Sequence, residues 1–280
     1  LGGFGDGFFF FNLNSFQADV LDKDEMDKFM SIIGGLNKAS AIVTPMISGV
    51  IIEKYGFIYM IYALLMLLLI QMILSFRMPS RHINSIGKFN IKESFKNGDY
   101  KNVLLTNTTK APYKQFTIMA NSVFLYSLMA SESIIGLLNS AFSIISIAMF
   151  LLYRYMLRKI SRKKLMLFGA VASSVVLILL IKPTISSFII FGITIALGEA
   201  FFSTPMVGVQ LNTAKKYSHN ESEMLGNLML RVIMLNIGRI IFFGLIYFFY
   251  EDFKSPIFIL FLIYNLVSPM YTYWLAKKEI

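Results

Sequence analysis

Nine long apolar stretches, divided by connections whose lysines and arginines fall almost wholly in alternate ones, leave this chain few ways to fold. They run over residues 2–17, 29–52, 57–76, 103–130, 133–156, 165–181, 186–209, 225–250 and 256–275. Most approach or exceed the roughly 20 apolar residues that carry a helix across about 30 Å of hydrocarbon. Lipid offers no partner to an unpaired backbone group, so repeated spans of this kind form helices packed on one another. The fold class is therefore all-α: a polytopic integral membrane helix bundle.

The basic residues gather in four places. Arg77, Arg81, Lys88, Lys92, Lys96 and Lys101 form one group, and Arg154, Arg158, Lys159, Arg162, Lys163 and Lys164 another. Lys215 and Lys216 form a third, and Lys277 and Lys278 close the chain. The connections between are short and nearly neutral: Glu53-Lys54, Ser131-Glu132-Ser133, Lys182-Pro183 and Glu251-Asp252-Phe253-Lys254. Basic loops stay on the cytoplasmic side, so the pattern predicts a multi-pass protein of the cell membrane with Ile280 inside and, after nine spans, Leu1 outside. Position 1 is Leu rather than Met, and the expectation is a chain that begins within a longer protein.

A chain 56% hydrophobic and only 15% charged does not suit a soluble domain of this length. The net charge of +10 sits beside span ends, where it sets topology and meets anionic lipid, so the partner it implies is the bilayer and not nucleic acid. Zero cysteines exclude disulfides, thiolate nucleophiles and sulfur-ligated metal. His82 and His219 lie in polar connections without the spacing of a metal pair, so no metal or cofactor is expected. The stretch 2–17 lacks the basic leader of a secretory signal.

The longest polar connection, 78–102, separates three spans from six, which divides the chain into a unit at 1–77, a central cytoplasmic loop and a six-helix unit at 103–280. Within that loop, residues 91–96 read as a short amphipathic surface helix. An internal repeat links the two units. Gly5-Asp6-Gly7-Phe8-Phe9 returns as Gly198-Glu199-Ala200-Phe201-Phe202. After each copy comes an acidic turn, Asp24-Glu25-Met26 or Ser222-Glu223-Met224. Then follow Leu36-Asn37-Lys38 in one copy and Leu235-Asn236 with nearby Arg239 in the other. Both copies run inward, so the repeat is parallel, as in transporters built from two like halves.

On topology and repeat together, the chain resembles the major facilitator superfamily over essentially its full length. The matching parts are the last three helices of an N-terminal half, the central loop and all six helices of the C-terminal half, with three helices expected ahead of Leu1. Members carry a loop of the form Gly-x-x-x-Asp-Arg-x-Gly-Arg-Arg. Residues 154–164 hold that place here, with Arg158 instead of the acid and Ser161 instead of the glycine. A closer textual match at Gly49-Val50-Ile51-Ile52-Glu53-Lys54-Tyr55-Gly56 would put the 77–101 basic group outside, against the charge rule. Thr44-Pro45-Met46-Ile47-Ser48-Gly49 keeps part of the family's antiporter pattern, which implies export.

The sharpest chemical signal is charge inside the spans. Asp6, Lys38, Glu199 and Arg239 lie deep, and Arg231 nearer the basic end. A charge at mid-membrane costs about 2.5–3.5 kcal/mol even on lenient scales, so each needs a partner or a cavity. With about 1.5 Å per residue, Asp6 and Lys38 fall at one level and are expected to pair, while Glu199 falls between Arg231 and Arg239 and is expected to pair with one of them. Such pairs either lock neighbouring helices or carry protons, because burial and a nearby cation act in opposite directions on a carboxyl group. Lys110 and Lys114 are candidates for an anionic solute, against interfacial snorkelling. The polar run 110–115 with Pro112 reads as a frayed helix end or a break lining a cavity. Asn12, Asn14, Gln17, Asn121 and Gln210 either line a polar path or bond between helices. The reading is a secondary transporter of a small organic solute, coupled to protons, and not an enzyme. Its rivals are a membrane enzyme acting on a lipid-linked substrate, disfavoured by the lack of a His-Glu-x-x-His motif or acidic metal cluster, and a non-transporting remnant.

Overall fold

The computed structural model describes residues 13–15, 17, 21, 23–77, 91–129, 132–249 and 255–280, and all regular structure among them is helical. α1 (Lys23–Tyr55) and α2 (Phe57–Phe76) precede the central loop. α3 (Ile91–Lys96) leads into α4 (Gly98–Met119), which passes through a π-helical turn (Ala120–Phe124) into α5 (Leu125–Met129). α6 (Glu132–Met156) follows, then α7 (Arg162–Val175), which tightens into a 3-10 stretch (Val176–Ile181). α8 (Ile185–Gly198), a second π-helical turn (Glu199–Ser203) and α9 (Thr204–Lys216) form one long rod. α10 (Glu221–Phe249) and α11 (Pro256–Ala276) complete the chain.

Local chemistry sets the helix starts. The Asn97 side chain accepts from the Asp99 and Tyr100 amides and Asp99 adds negative charge to the first turn, so α4 begins well before the apolar run expected from residue 103. Ser255 caps α11 with Pro256 just inside, and Thr184 and Ser187 form a reciprocal capping box on α8. A single residue joins α1 to α2: Gly56, at φ 89°, a left-handed backbone that other residues rarely adopt. α1 itself starts at Lys23, ahead of the expected position 29.

Among the described residues six segments are long and apolar enough to cross a membrane: Phe57–Phe76, Ile134–Met156, Arg162–Ile181, Ile185–Lys216, Ser222–Phe249 and Pro256–Ala276. α4 has the length but not the hydropathy, because it gives Asn107, Thr109 and Lys110 to the interior and carries Lys114 as well. The run 110–115 is therefore neither a frayed end nor a break; it lies in the middle of continuous helix. The first expected span, 2–17, falls almost wholly outside the described residues. α3 forms as expected, but it packs on α4 and α10, with the Ser94 hydroxyl donating to Asn227 Oδ1 at 2.9 Å.

α10 packs along α4, α11 along α4 and α7, and α1 along α6 with further contact to α9. One apolar core lies toward the non-basic end, where Phe116, Phe124, Phe188, Phe242, Phe258 and Phe261 interlock. Phe124 and Phe258 meet edge to face with centroids 5.6 Å apart. A second core at the basic end joins α1 to the later helices: Met26 and Met30 pack with Leu104, Leu211, Ala214 and Leu228. Next to it the Ser31 hydroxyl donates to Phe150 O at 2.9 Å. A Cβ on Gly34 would fall 2.6 Å from the Phe150 ring, so glycine permits this close approach. Beyond Lys38, no described residue of α1 is buried. The segments before and after the central loop thus meet through a buried core at the basic end.

Candidate functional site

The two segments also meet at mid-depth through charge. Lys38 Nζ lies 2.7 Å from Glu199 Oε2. Counted along their helices from the basic end, both sit about 22–25 Å in, where an unpaired charge is costly. Each side chain is 30% exposed, so the pair borders open space between helices instead of packed core. Glu199 opens the second π-helical turn, in which the Thr204 amide bonds back to Glu199 O. Pro205, directly after that turn, has no N–H to continue the ordinary helical ladder, which gives the turn a local cause. Such single π turns widen a helix and recur at functional positions.

α4 supplies two lysines one turn apart. Lys110 is buried and donates to Ser203 O at 2.6 Å, inside the same π turn. Lys114 is exposed despite its depth, with Glu199, Arg239, Lys38 and Arg231 as its charged neighbours. From α10, Arg231 is buried and its Nε donates to Gln210 Oε1 at 3.3 Å, while Gln210 Nε2 donates to Thr106 Oγ1 at 2.7 Å. Arg239 Nη1 donates to Asn236 Oδ1 at 3.3 Å, and its Nε is enclosed without a partner.

The expected pairings change accordingly. Glu199 goes to Lys38 on α1, not to Arg231 or Arg239 on the following helix. The rise per residue fixes depth but not the direction in which a side chain points, and the Arg231 guanidinium turns toward Gln210. Asp6 and Asn12 lie outside the described residues, so the Asp6–Lys38 pairing and the repeat it belongs to are not placed.

A second ion pair was not foreseen. Arg162 Nη2 lies 2.8 Å from Asp27 Oδ1 and donates to Pro205 O at 3.0 Å, with the Arg162 and Asp27 side chains only 9% and 10% exposed. By sequence both belong to solvated loops. The available signal was an acidic run ending at Asp27 and a basic group at 154–164 assigned to the same side of the membrane. Among the described residues no group of three or more His, Cys, Asp or Glu is placed to hold a metal ion. Chemically, the site is a water-reachable carboxylate and ammonium that tie two segments together, in a surround of further cations.

Comparison with known proteins places this geometry. A model of the Major Facilitator Superfamily matches residues 113–279. Uncharacterized protein YqgE of Bacillus subtilis (strain 168) is 23% identical over 250 residues, which cover 85% of this chain and 57% of that protein. The chain thus spans little more than half the length of that relative. The crystal structure of a bacterial homologue of iron transporter ferroportin in outward-facing state superposes with a TM-score of 0.64 at 14% identity, over 94% of this chain and 66% of that one.

Proposed function

The chain belongs to the Major Facilitator Superfamily, and from that premise we propose that it works as a secondary active transporter, moving a small organic solute across the cell membrane by alternating access and coupled to protons through Glu199. Superfamily membership and the transporter fold favour this reading over an enzyme acting on a lipid-linked substrate. The two halves are residues 1–77 and 103–280, joined by a central loop, and the basic connections face the cytoplasm. The buried contact at the basic end suits a state closed to the cytoplasm. The pattern at Thr44–Gly49 supports export.

The observation that carries the reading is the Lys38–Glu199 pair. It joins the two halves, and it borders open space from which water can deliver a proton. A proton on Glu199 removes the charge that holds Lys38 and frees the halves to reorient. The groups facing Glu199 are Lys38 from α1 and Lys110, Tyr113 and Lys114 from α4. The fold neighbour is a homologue of an iron transporter, but the described surround of this carboxylate is cationic and suits a divalent metal cargo poorly.

The test is Glu199→Gln in proteoliposomes. Proton-driven accumulation is abolished while solute exchange at equal gradients persists, because exchange need not move a net proton. Undiminished proton-driven accumulation by a well-folded Glu199→Gln protein rules the coupling role out.

A further inference from the structure

The cations around Glu199 outnumber what it can neutralise. Lys38, Lys110, Lys114 and Arg239 lie deep in their helices and Arg231 nearer the basic end, with Glu199 the one acid among them in the described residues. Counting Asp6, the other deep acid of the sequence, still leaves an excess of bases. Among the described residues only Lys38 has an acid partner, Glu199, while Lys110, Arg231 and Arg239 donate to the neutral acceptors Ser203 O, Gln210 and Asn236. Lys114 makes no hydrogen bond or ion pair among the described residues and is exposed, and Arg239 keeps an enclosed Nε without a partner. Arg239 is among the charged neighbours of Lys114. An uncompensated cation at this depth is expensive, and a site with more bases than acids suits a counter-charge from elsewhere.

Beside Arg239 an open face of α10, bordering about 660 Å³, carries Asn236, Ile240, Phe243, Gly244 and Tyr247. Ligand sites combine such apolar surface with a few placed polar groups. The charge is at one end and the apolar surface at the other. We propose that the transported solute is an amphiphilic organic anion, whose carboxylate or phosphate is held by Lys114 and Arg239 and whose apolar body lies along Ile240, Phe243 and Tyr247. This rests on the transporter reading but is tested by binding alone.

Purified protein in lipid-free detergent is titrated with benzoate, hexanoate and phenyl phosphate, with benzylamine and hexylamine as matched cations and with inorganic sulfate. Thermal stabilisation serves as the readout. At least one organic anion gives saturable stabilisation at millimolar concentration or below, and the amines give none. Lys114→Gln and Arg239→Gln each weaken that binding about tenfold or more, as expected for loss of a charge-assisted contact, while Lys114→Arg retains it. Unchanged melting of the ligand-free variants separates lost binding from lost folding. Binding of the amines, response to sulfate alone, anion binding that survives both substitutions, or no organic-anion binding overturns the proposal. So does a nanodisc experiment in which phosphatidylglycerol stabilises the protein through Arg239 and the water-soluble anions do not, since the anion is then a lipid. Loss of proton coupling in Glu199→Gln with benzoate binding intact bears on the transport reading only.

Discussion

Removing the carboxylate of Asp27 is the perturbation with the largest expected cost. Its partner Arg162 sits 2.8 Å away, and both side chains are about nine-tenths buried, so solvent screens the pair little. At an effective dielectric near 20 the gross attraction at that separation is about 6 kcal/mol, much of it offset by desolvation. What Asp27→Ala forfeits is set less by that attraction than by what remains: a buried guanidinium that keeps the neutral acceptor Pro205 O but no carboxylate. A buried charge left this way costs about 3–5 kcal/mol. Because Asp27 lies on α1 and Arg162 on α7, the loss falls on the contact that closes the basic end. The assay is reversible unfolding in mixed micelles for Asp27→Ala, Arg162→Met and the Asp27→Leu, Arg162→Met double variant. Each single change is expected to lose about 3–5 kcal/mol, and the double variant to recover most of it, since no uncompensated charge remains. Single variants within about 1 kcal/mol of the parent, or a double variant that costs the sum of the two, refute the reasoning.

Two further outcomes follow from the packing and the charge pattern. Gly34→Leu forces the Phe150 ring away from α1 and costs about 1–3 kcal/mol of overpacking, whereas Gly35→Leu, with nothing within 4 Å, is close to neutral; thermal melts of both proteins read the difference. Cysteines at Lys182 and Lys159, both exposed in connections at opposite ends, differ in labelling by an impermeant thiol reagent: position 182 reacts in intact cells and position 159 only after permeabilisation, and the reverse result inverts the orientation.

Helix existence was legible in the sequence because long apolar runs leave lipid-embedded backbone no alternative, and α2, α6 and α11 begin within one residue of the expected limits. Starts were misjudged where capping extends a helix past its apolar run, as at Asn97 for α4, and at Lys23 for α1. The charged positions themselves stood out from their apolar surroundings, and Lys38, Lys110, Lys114 and Glu199 all fall near the middle of the bundle. Their partners did not stand out. Sequence gives the depth of Glu199 but not its azimuth, and the π turn at Glu199–Ser203 rotates the residues after it relative to an ideal helix. The Asp27–Arg162 pair was hidden for a related reason: both residues read as loop charges until α1 and α7 are placed against each other.

Alternating access is tested most directly by watching the basic end open. Spin labels at Lys28 on α1 and Lys164 on α7, both exposed, report the separation of the two segments by pulsed dipolar spectroscopy in nanodiscs. A transporter gated by Lys38–Glu199 shows two distance populations, the short one dominant in the parent protein. Glu199→Gln moves weight to the long one. One distance that Glu199→Gln does not alter contradicts the claim that this pair controls the opening.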